Sequence, residues 1–198
     1  IGPRDRYTWI LEVAPAIAAA ILLVATYRRF PLTPLAYRLI FLHACVLMLG
    51  GHYTYAEVPL GFWVRDLLGL ARNHYDRLVH FAYGLLVTPA VFEVFQAYSP
   101  GRAAWRWLLP ATSMFGHSVL YELVEWLAAE VFGGDLGVAY LGTQGDPWDA
   151  QKDMLLATCG AVLALGLAAS IHKRLDRDFQ REWAASLRVK HAEPLGEV

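Results

Sequence analysis

Five apolar stretches divide the chain, at 7–27, 36–56, 78–98, 107–129 and 154–171. Each is close to or above the ~20 mainly apolar residues that an α-helix needs to cross a bilayer. None alternates apolar and polar residues with a period of two, so the pattern is not that of a membrane barrel. Residues 16–25 and 155–169 are apolar around the whole helical circumference, as expected for lipid contact or deep burial. A soluble five-helix bundle needs a polar face on every helix, and these two offer none. The pattern predicts an all-α, polytopic transmembrane helical bundle of about five membrane spans within residues 1–172. The chain starts at Ile1 rather than Met, which leaves room for a further helix before it. Residues 173–198 read as a charged, amphipathic tail, with Leu175, Phe179, Trp183 and Leu187 at a spacing of four.

Composition sharpens this picture. Hydrophobic residues make up 57% of the chain and charged ones only 18%. Soluble domains carry ~25% charged residues. The net charge of −1 excludes a basic nucleic-acid binder, and two cysteines exclude a disulfide scaffold. Cys45 and Cys159 both fall mid-span and read as small packing residues. The chain contains no GxGxxG, Walker loop, CxxC, HExxH or GxSxG pattern, so nucleotide binding, a zinc finger and an α/β-hydrolase triad have no support.

Charge placement sets the orientation. Arg28, Arg29, Arg38, Arg102, Arg106 and six Lys or Arg residues of the tail fall on one side. Arg4, Arg6, Arg65, Arg72, Arg77 and Lys152 fall on the other. The positive-inside rule then places Ile1 outside and the tail in the cytoplasm of a multi-pass inner-membrane protein. On the outer side, 61–68 reads as a short interfacial helix with an aromatic anchor. The glycine-rich loop 132–146 reads as either a tight backbone near a ligand or a flexible spacer.

The polar residues inside the spans carry the candidate chemistry. Two helices open from outside with a cap, an acid three later and a metal-capable group four beyond: Asn73, Asp76 and His80, then Asp146, Asp149 and Asp153. Capping and the helix dipole explain Asn73 and Asp146. His80 and Asp153 stack on Asp76 and Asp149, because i and i+4 share a face. A carboxylate in a span costs ~2.5–3.5 kcal/mol on insertion scales, so it faces a partner or a wet cavity. The fourth span delivers His117, Tyr121, Glu122 and Glu125 to the same level, and the second adds His52, Tyr55 and Glu57. The inner half holds mainly His43 and Glu93.

Carboxylates gathered in a low-dielectric pocket need a divalent metal, arginine counter-ions or shared protons. Mixed His and carboxylate ligands suit Zn, Mn or Fe better than Ca. The spacing is no known ligand signature. A structural network of interhelical hydrogen bonds and a proton or ion path therefore stand beside the metal reading.

At these motifs the chain resembles the YjdF-like family of predicted bacterial inner-membrane proteins, whose molecular function is unknown. The matching stretches are Tyr37-Arg38-Leu39-Ile40-Phe41-Leu42-His43, Gly51-His52-Tyr53-Thr54-Tyr55-Ala56-Glu57-Val58-Pro59, Ala71-Arg72-Asn73-His74-Tyr75-Asp76-Arg77, Tyr121-Glu122-Leu123-Val124-Glu125-Trp126 and Gly142-Thr143-Gln144-Gly145-Asp146-Pro147-Trp148-Asp149. More faintly, Asp76-Arg77-Leu78-Val79-His80-Phe81, a carboxylate in the next helix, and Asp153 followed by Gly160 are similar to the pattern of VanZ-like membrane proteins, which are linked to glycopeptide-antibiotic resistance. That pattern commonly has an Asn between the last Asp and the Gly, where this chain has Ala157 and Thr158. The likeness serves as an architectural analogy only.

The leading expectation is a metal-assisted membrane enzyme acting on a lipid or lipid-linked headgroup. Asp76, His80, Asp149 and Asp153 would bind the metal. Glu122, Glu125 and His52 would handle protons. Arg72, Arg77, Asn73 and Tyr55 would receive the substrate, the arginines taking an anionic phosphate. The alternative is a non-enzymatic protein, either an accessory subunit of a membrane complex or an ion- or proton-coupled carrier. The partners implied are the bilayer, the headgroup and, in the alternative, another membrane protein.

Overall fold

A computed structural model of the chain describes residues 2–98, 103–134, 137 and 141–175. Among them the helices are α1 (Arg6–Thr26), α2 (Pro34–Tyr53), α3 (Pro59–Leu68), α4 (Tyr75–Tyr98), α5 (Ala103–Phe132) and α6 (Asp149–Leu175). No strand occurs among the described residues. The bundle is therefore all-α. α1, α2, α4 and the Asp149–Ile171 part of α6 are long and apolar enough to cross a membrane. The fourth expected span, in α5, runs for 30 residues, or ~45 Å at 1.5 Å per residue, so it has the length. His117, Glu122 and Glu125 dilute its apolar character.

Local chemistry sets the helix ends. Asp5 caps α1 by accepting a hydrogen bond from Thr8 N at 2.7 Å. Thr33 caps α2 through Ala36 N, and Pro34 supplies the preset first turn. The second apolar stretch was expected to run to 56, but α2 stops at Tyr53. Thr54 takes a φ of +61°, the chain turns through a 3-10 segment at Tyr55–Glu57, and α3 follows. Gly69 ends α3 in the left-handed region. α6 begins at Asp149, five residues before its apolar run, and continues past residue 172 to Leu175. The rest of the expected tail helix, with Phe179, Trp183 and Leu187, lies outside the described residues.

α4 is the centre of the bundle. It packs most extensively on α6, with α2 and α5 on its other sides and α1 against α2. The α4–α6 contact is backbone on backbone. A Cβ on Gly84 would overlap the Ala157 carbonyl, and one on Gly160 would overlap the Phe81 carbonyl. Small residues complete the seam, with Ala82, Ala157, Ala161 and Ala164 buried. Large aliphatic side chains face outward instead. Ile17, Ile21 and Val24 of α1, Leu123 and Val131 of α5, and Leu155 and Val162 of α6 are exposed. Buried residues include Thr8, Glu12, Asn73, Thr88 and Glu93. Apolar surface outside with polar groups inside is the pattern of a bundle solvated by lipid.

The starts of α1, α4 and α6 and the ends of α2 and α5 meet at one end of the bundle, called here the N-face. Arg4 N donates to the His52 carbonyl at 3.0 Å, tying α1 to α2 there.

The α4–α6 seam gives a matched pair of variants. Gly84→Leu should lower thermal stability in detergent by about 3 kcal/mol, because overpacking pushes the two backbones apart. Gly166→Leu, with open space around its Cα, should stay within about 0.5 kcal/mol of wild type.

Candidate functional site

Asn73 organises the start of α4. Its Oδ1 accepts from Tyr75 N at 3.0 Å and its Nδ2 donates to the Val58 carbonyl at 3.0 Å. Its backbone pairs with the Gln144 side chain in both directions, at 3.2 Å and 2.8 Å. Gly61 of α3 has no side chain because the Asn73 amide occupies the position of its Cβ. Asn73, expected to touch substrate, is thus fully engaged in positioning α3, α4 and the 142–149 segment. Tyr75 adds a hydroxyl hydrogen bond to the Val46 carbonyl at 2.8 Å, which fixes α4 against α2.

With α4 so placed, Asp76 and His80 project from one face toward Asp153 of α6. One ligand atom from each of these three residues lies within 4.8 Å of the other two. His80 Nε2 is 3.6 Å from Asp76 Oδ1 and 3.5 Å from Glu122 Oε1 of α5. These separations are too long for good hydrogen bonds. Asp153 is 2% exposed and Glu122 9%. The buried oxygens Asp153 Oδ1 and Glu122 Oε1 accept no hydrogen bond from the described residues. Glu125, also buried, lies one turn beyond Glu122 on α5.

A fourth helix contributes as well. Glu12 of α1 is 1% exposed. Tyr121 OH donates to its Oε2 at 3.3 Å, and Tyr55 is a second hydroxyl partner. Asp76 and Glu125 are its electrostatic neighbours. Gly51 of α2 packs over it, where an added Cβ would lie 3.1 Å from the Glu12 Cβ. The expectation that only the second to fifth spans supply polar groups is therefore corrected. Sequence offered one signal: Glu12 is the lone acid of its span and shares a helical face with Thr8, four residues earlier. Tyr121, whose ring stands edge-on to His80 with centroids 5.9 Å apart, links the two groups of acids. Tyr55 is fully buried beneath them. Burial pushes its phenol well above the usual range, and the carboxylates of Glu12, Asp76 and Glu125 push further, so it stays a neutral donor.

The arginines are placed differently from the expectation. Arg72 binds Asp149 through two contacts, Nη1–Oδ1 at 2.8 Å and Nη2–Oδ2 at 3.0 Å, and also donates to the Thr143 carbonyl at 2.7 Å. Arg77 Nη2 bridges Asp146 at 2.6 Å and Asp149 at 3.0 Å. Lys152 also pairs with Asp146. Asp149 therefore sits in a clamp of two guanidiniums and outside the Asp76–His80–Asp153 triad, while Arg72 and Arg77 hold the 142–149 segment to α4. Sequence could not show this pairing, because it joins residues about seventy positions apart. Arg77 Nη1 also contacts His74 Nδ1 at 3.1 Å. Guanidinium can only donate, so His74 accepts there as a neutral imidazole. Burial and the two arginines accordingly lower its pKa. Asp146 is held well below the usual aspartate range, first by Lys152, then by Trp148 N and Arg77.

Above the triad lies a cleft of about 460 Å³ lined by Arg4, Asp5, Thr54, Ala56, Glu57, Gly142 and Gln144. Gly142 has a φ of +60°, and a Cβ on it would stand 3.8 Å from Asp76 Oδ2. Bare backbone thus separates the cleft from Asp76. The glycine-rich loop is tight here, with Gln144 and Gly145 also at positive φ. Its residues 135–136 and 138–140 lie outside the described residues. His52 stands at the rim, edge-on to Tyr53 at 4.7 Å. No polar side-chain contact among the described residues joins it to the triad. In the opposite half, Glu93 is held by Thr33 N at 2.9 Å and by the Thr33 hydroxyl, and the His43 ring packs against Tyr83 at 5.5 Å.

Residues 1–174 match the family model described as "Predicted membrane protein (DUF2238)". The chain is also 46% identical over 181 residues to "Inner membrane protein YjdF" of Escherichia coli (strain K12), covering 90% of this chain and 86% of that one. No solved structure matches. The chain belongs to the DUF2238, or YjdF-like, family of integral membrane proteins.

The Asp146 carboxylate gives the clamp a pH signature. Its pKa is lowered on folding, so its contribution is complete above the unfolded value of about 3.9 and is lost as pH falls through the native value. Asp146→Asn should melt below wild type at pH 7, and the gap should close only under strongly acid conditions, below about pH 4. An equal gap at all pH values would show that the charge is not what holds the segment.

Proposed function

We propose that this DUF2238 protein holds a divalent metal at its N-face, open to the periplasm, and acts there on a lipid or lipid-linked headgroup. Asp76, His80 and Asp153 would be the metal ligands. The observation that carries the reading is the convergence of three ligand atoms within 4.8 Å beside two buried carboxylate oxygens with no hydrogen-bond donor. Buried acceptors are almost always satisfied in folded proteins, so an unmet pair next to an imidazole points to a missing cation. One imidazole with carboxylates favours Zn, Mn or Fe over Ca.

Held by these residues, such an ion would supply Lewis-acid activation of a phosphoryl oxygen and of water. The chain's own groups supply the remainder. Glu122 and Glu125, one turn apart, are the candidate proton acceptors. Arg72 and Arg77 keep the 142–149 segment, and with it Gly142, over Asp76. They take a positioning role in place of the phosphate-binding role expected of them. His52, at the rim, has no part in this chemistry.

Metal analysis of the purified, detergent-solubilised protein tests the reading. Wild type should retain about one divalent transition metal per chain, and His80→Ala and Asp153→Asn should each weaken retention at least about tenfold while eluting as wild type does. Release of water-soluble headgroup from reconstituted vesicles should stop on adding a chelator. Absence of metal in wild type, or wild-type metal content in both variants, contradicts the proposal.

A further inference from the structure

The cleft above Gly142 shares no residue with the metal triad, and its walls have a chemistry of their own. We infer that it seats the zwitterionic amine–phosphate headgroup of a lipid from the adjoining leaflet, with Arg4 on the phosphate and the carboxylates of Glu57 and Asp5 on the ammonium. The inference rests on the headgroup reading above and names its substrate class.

Depth comes first. Ala56 and Glu57 of the cleft wall lead directly into α3, on which Leu60, Trp63, Leu67 and Leu68 are exposed. A short helix with exposed Leu and Trp and a charged Arg65–Asp66 pair lies in the membrane interface. The cleft is therefore at headgroup level and open beside acyl chains.

Charge comes second. Arg4 and Glu57 pair at 3.0 Å with side chains 61% and 41% exposed. An ion pair so exposed contributes little, and a ligand carrying both signs replaces each partner at small cost. Asp5 spends Oδ1 on Thr8 N. Arg72 and Arg77, which would have suited a purely anionic headgroup, are occupied by Asp146 and Asp149. Two acids against one arginine, above Asp76, repel a headgroup with negative charge alone.

Size and reach come third. The volume of about 460 Å³ falls in the range of small-ligand sites. Gly142 lines the cleft and also adjoins the triad, since a Cβ on it would stand 3.8 Å from Asp76 Oδ2.

Binding to the full-length, detergent-purified protein tests the inference. The probes are short-chain phosphatidylethanolamine, short-chain phosphatidylglycerol and soluble phosphoethanolamine. Phosphatidylethanolamine should bind at least about tenfold more tightly than phosphatidylglycerol, as expected when charge-assisted hydrogen bonds decide. Glu57→Gln should lose that preference, and Arg4→Gln should weaken binding of both lipids, each with metal content unchanged. Asp153→Asn should keep the preference, so failure of the metal centre and failure of the cleft are read separately. Equal binding of the two lipids by wild type, a preference that survives Glu57→Gln, or unchanged binding of both lipids in Arg4→Gln overturns the inference. Soluble phosphoethanolamine binding as tightly as the lipid overturns the lipid source.

Discussion

Burying like charges side by side within a bilayer is the constraint on which the N-face depends. Glu12, Asp76, Glu122, Glu125, Asp149 and Asp153 arrive there on four helices, α1, α4, α5 and α6, and all but the largely buried Asp76 are buried. Water would screen such a group, but lipid and packed helices do not. The chain answers with two separate devices. Arg72 and Arg77 neutralise Asp149 and Asp146 outright, in a clamp that fixes how α4 meets α6. The hydroxyls of Tyr55 and Tyr121 serve Glu12. Asp76, His80, Asp153 and Glu122 are left with lone pairs facing one another, and a divalent cation satisfies that arrangement most directly.

The clamp and the triad are coupled through the fold. Asp149 and Asp153 are one turn apart on α6, and Arg77 follows Asp76 on α4. The ion pairs that fix the helix register therefore also set the distance from Asp153 to His80. The bare α4–α6 seam at Gly84 and Gly160 continues the same register inward. Below it, Thr33 holds Glu93 through two hydrogen bonds, while the buried His43 Nδ1 has no hydrogen-bond partner among the described residues. Most of the buried acids nevertheless lie at the N-face, which fits a site loaded from one side.

Much of this was legible in the sequence. Long apolar runs identified the spans, Asn73 marked the start of α4, and the spacing of Asp76 and His80 placed them on one face. Other features carried no local signal. α2 ends at Tyr53 because Thr54 adopts a positive φ, which residue identity does not announce. Arg72 and Arg77 read equally as counter-ions or as phosphate ligands, and which acid each one pairs with is a property of tertiary structure. The pairing of Glu12 with Tyr121 of α5 is likewise tertiary, joining residues 109 positions apart.

The central claim is that a metal ion completes the Asp76–His80–Asp153 triad. X-ray absorption on the metal-loaded protein tests it most directly. The account predicts a first shell of one imidazole nitrogen and carboxylate oxygens at about 2.0–2.2 Å, with the imidazole signal absent in His80→Ala. A shell of oxygen alone, identical in wild type and variant, would contradict it.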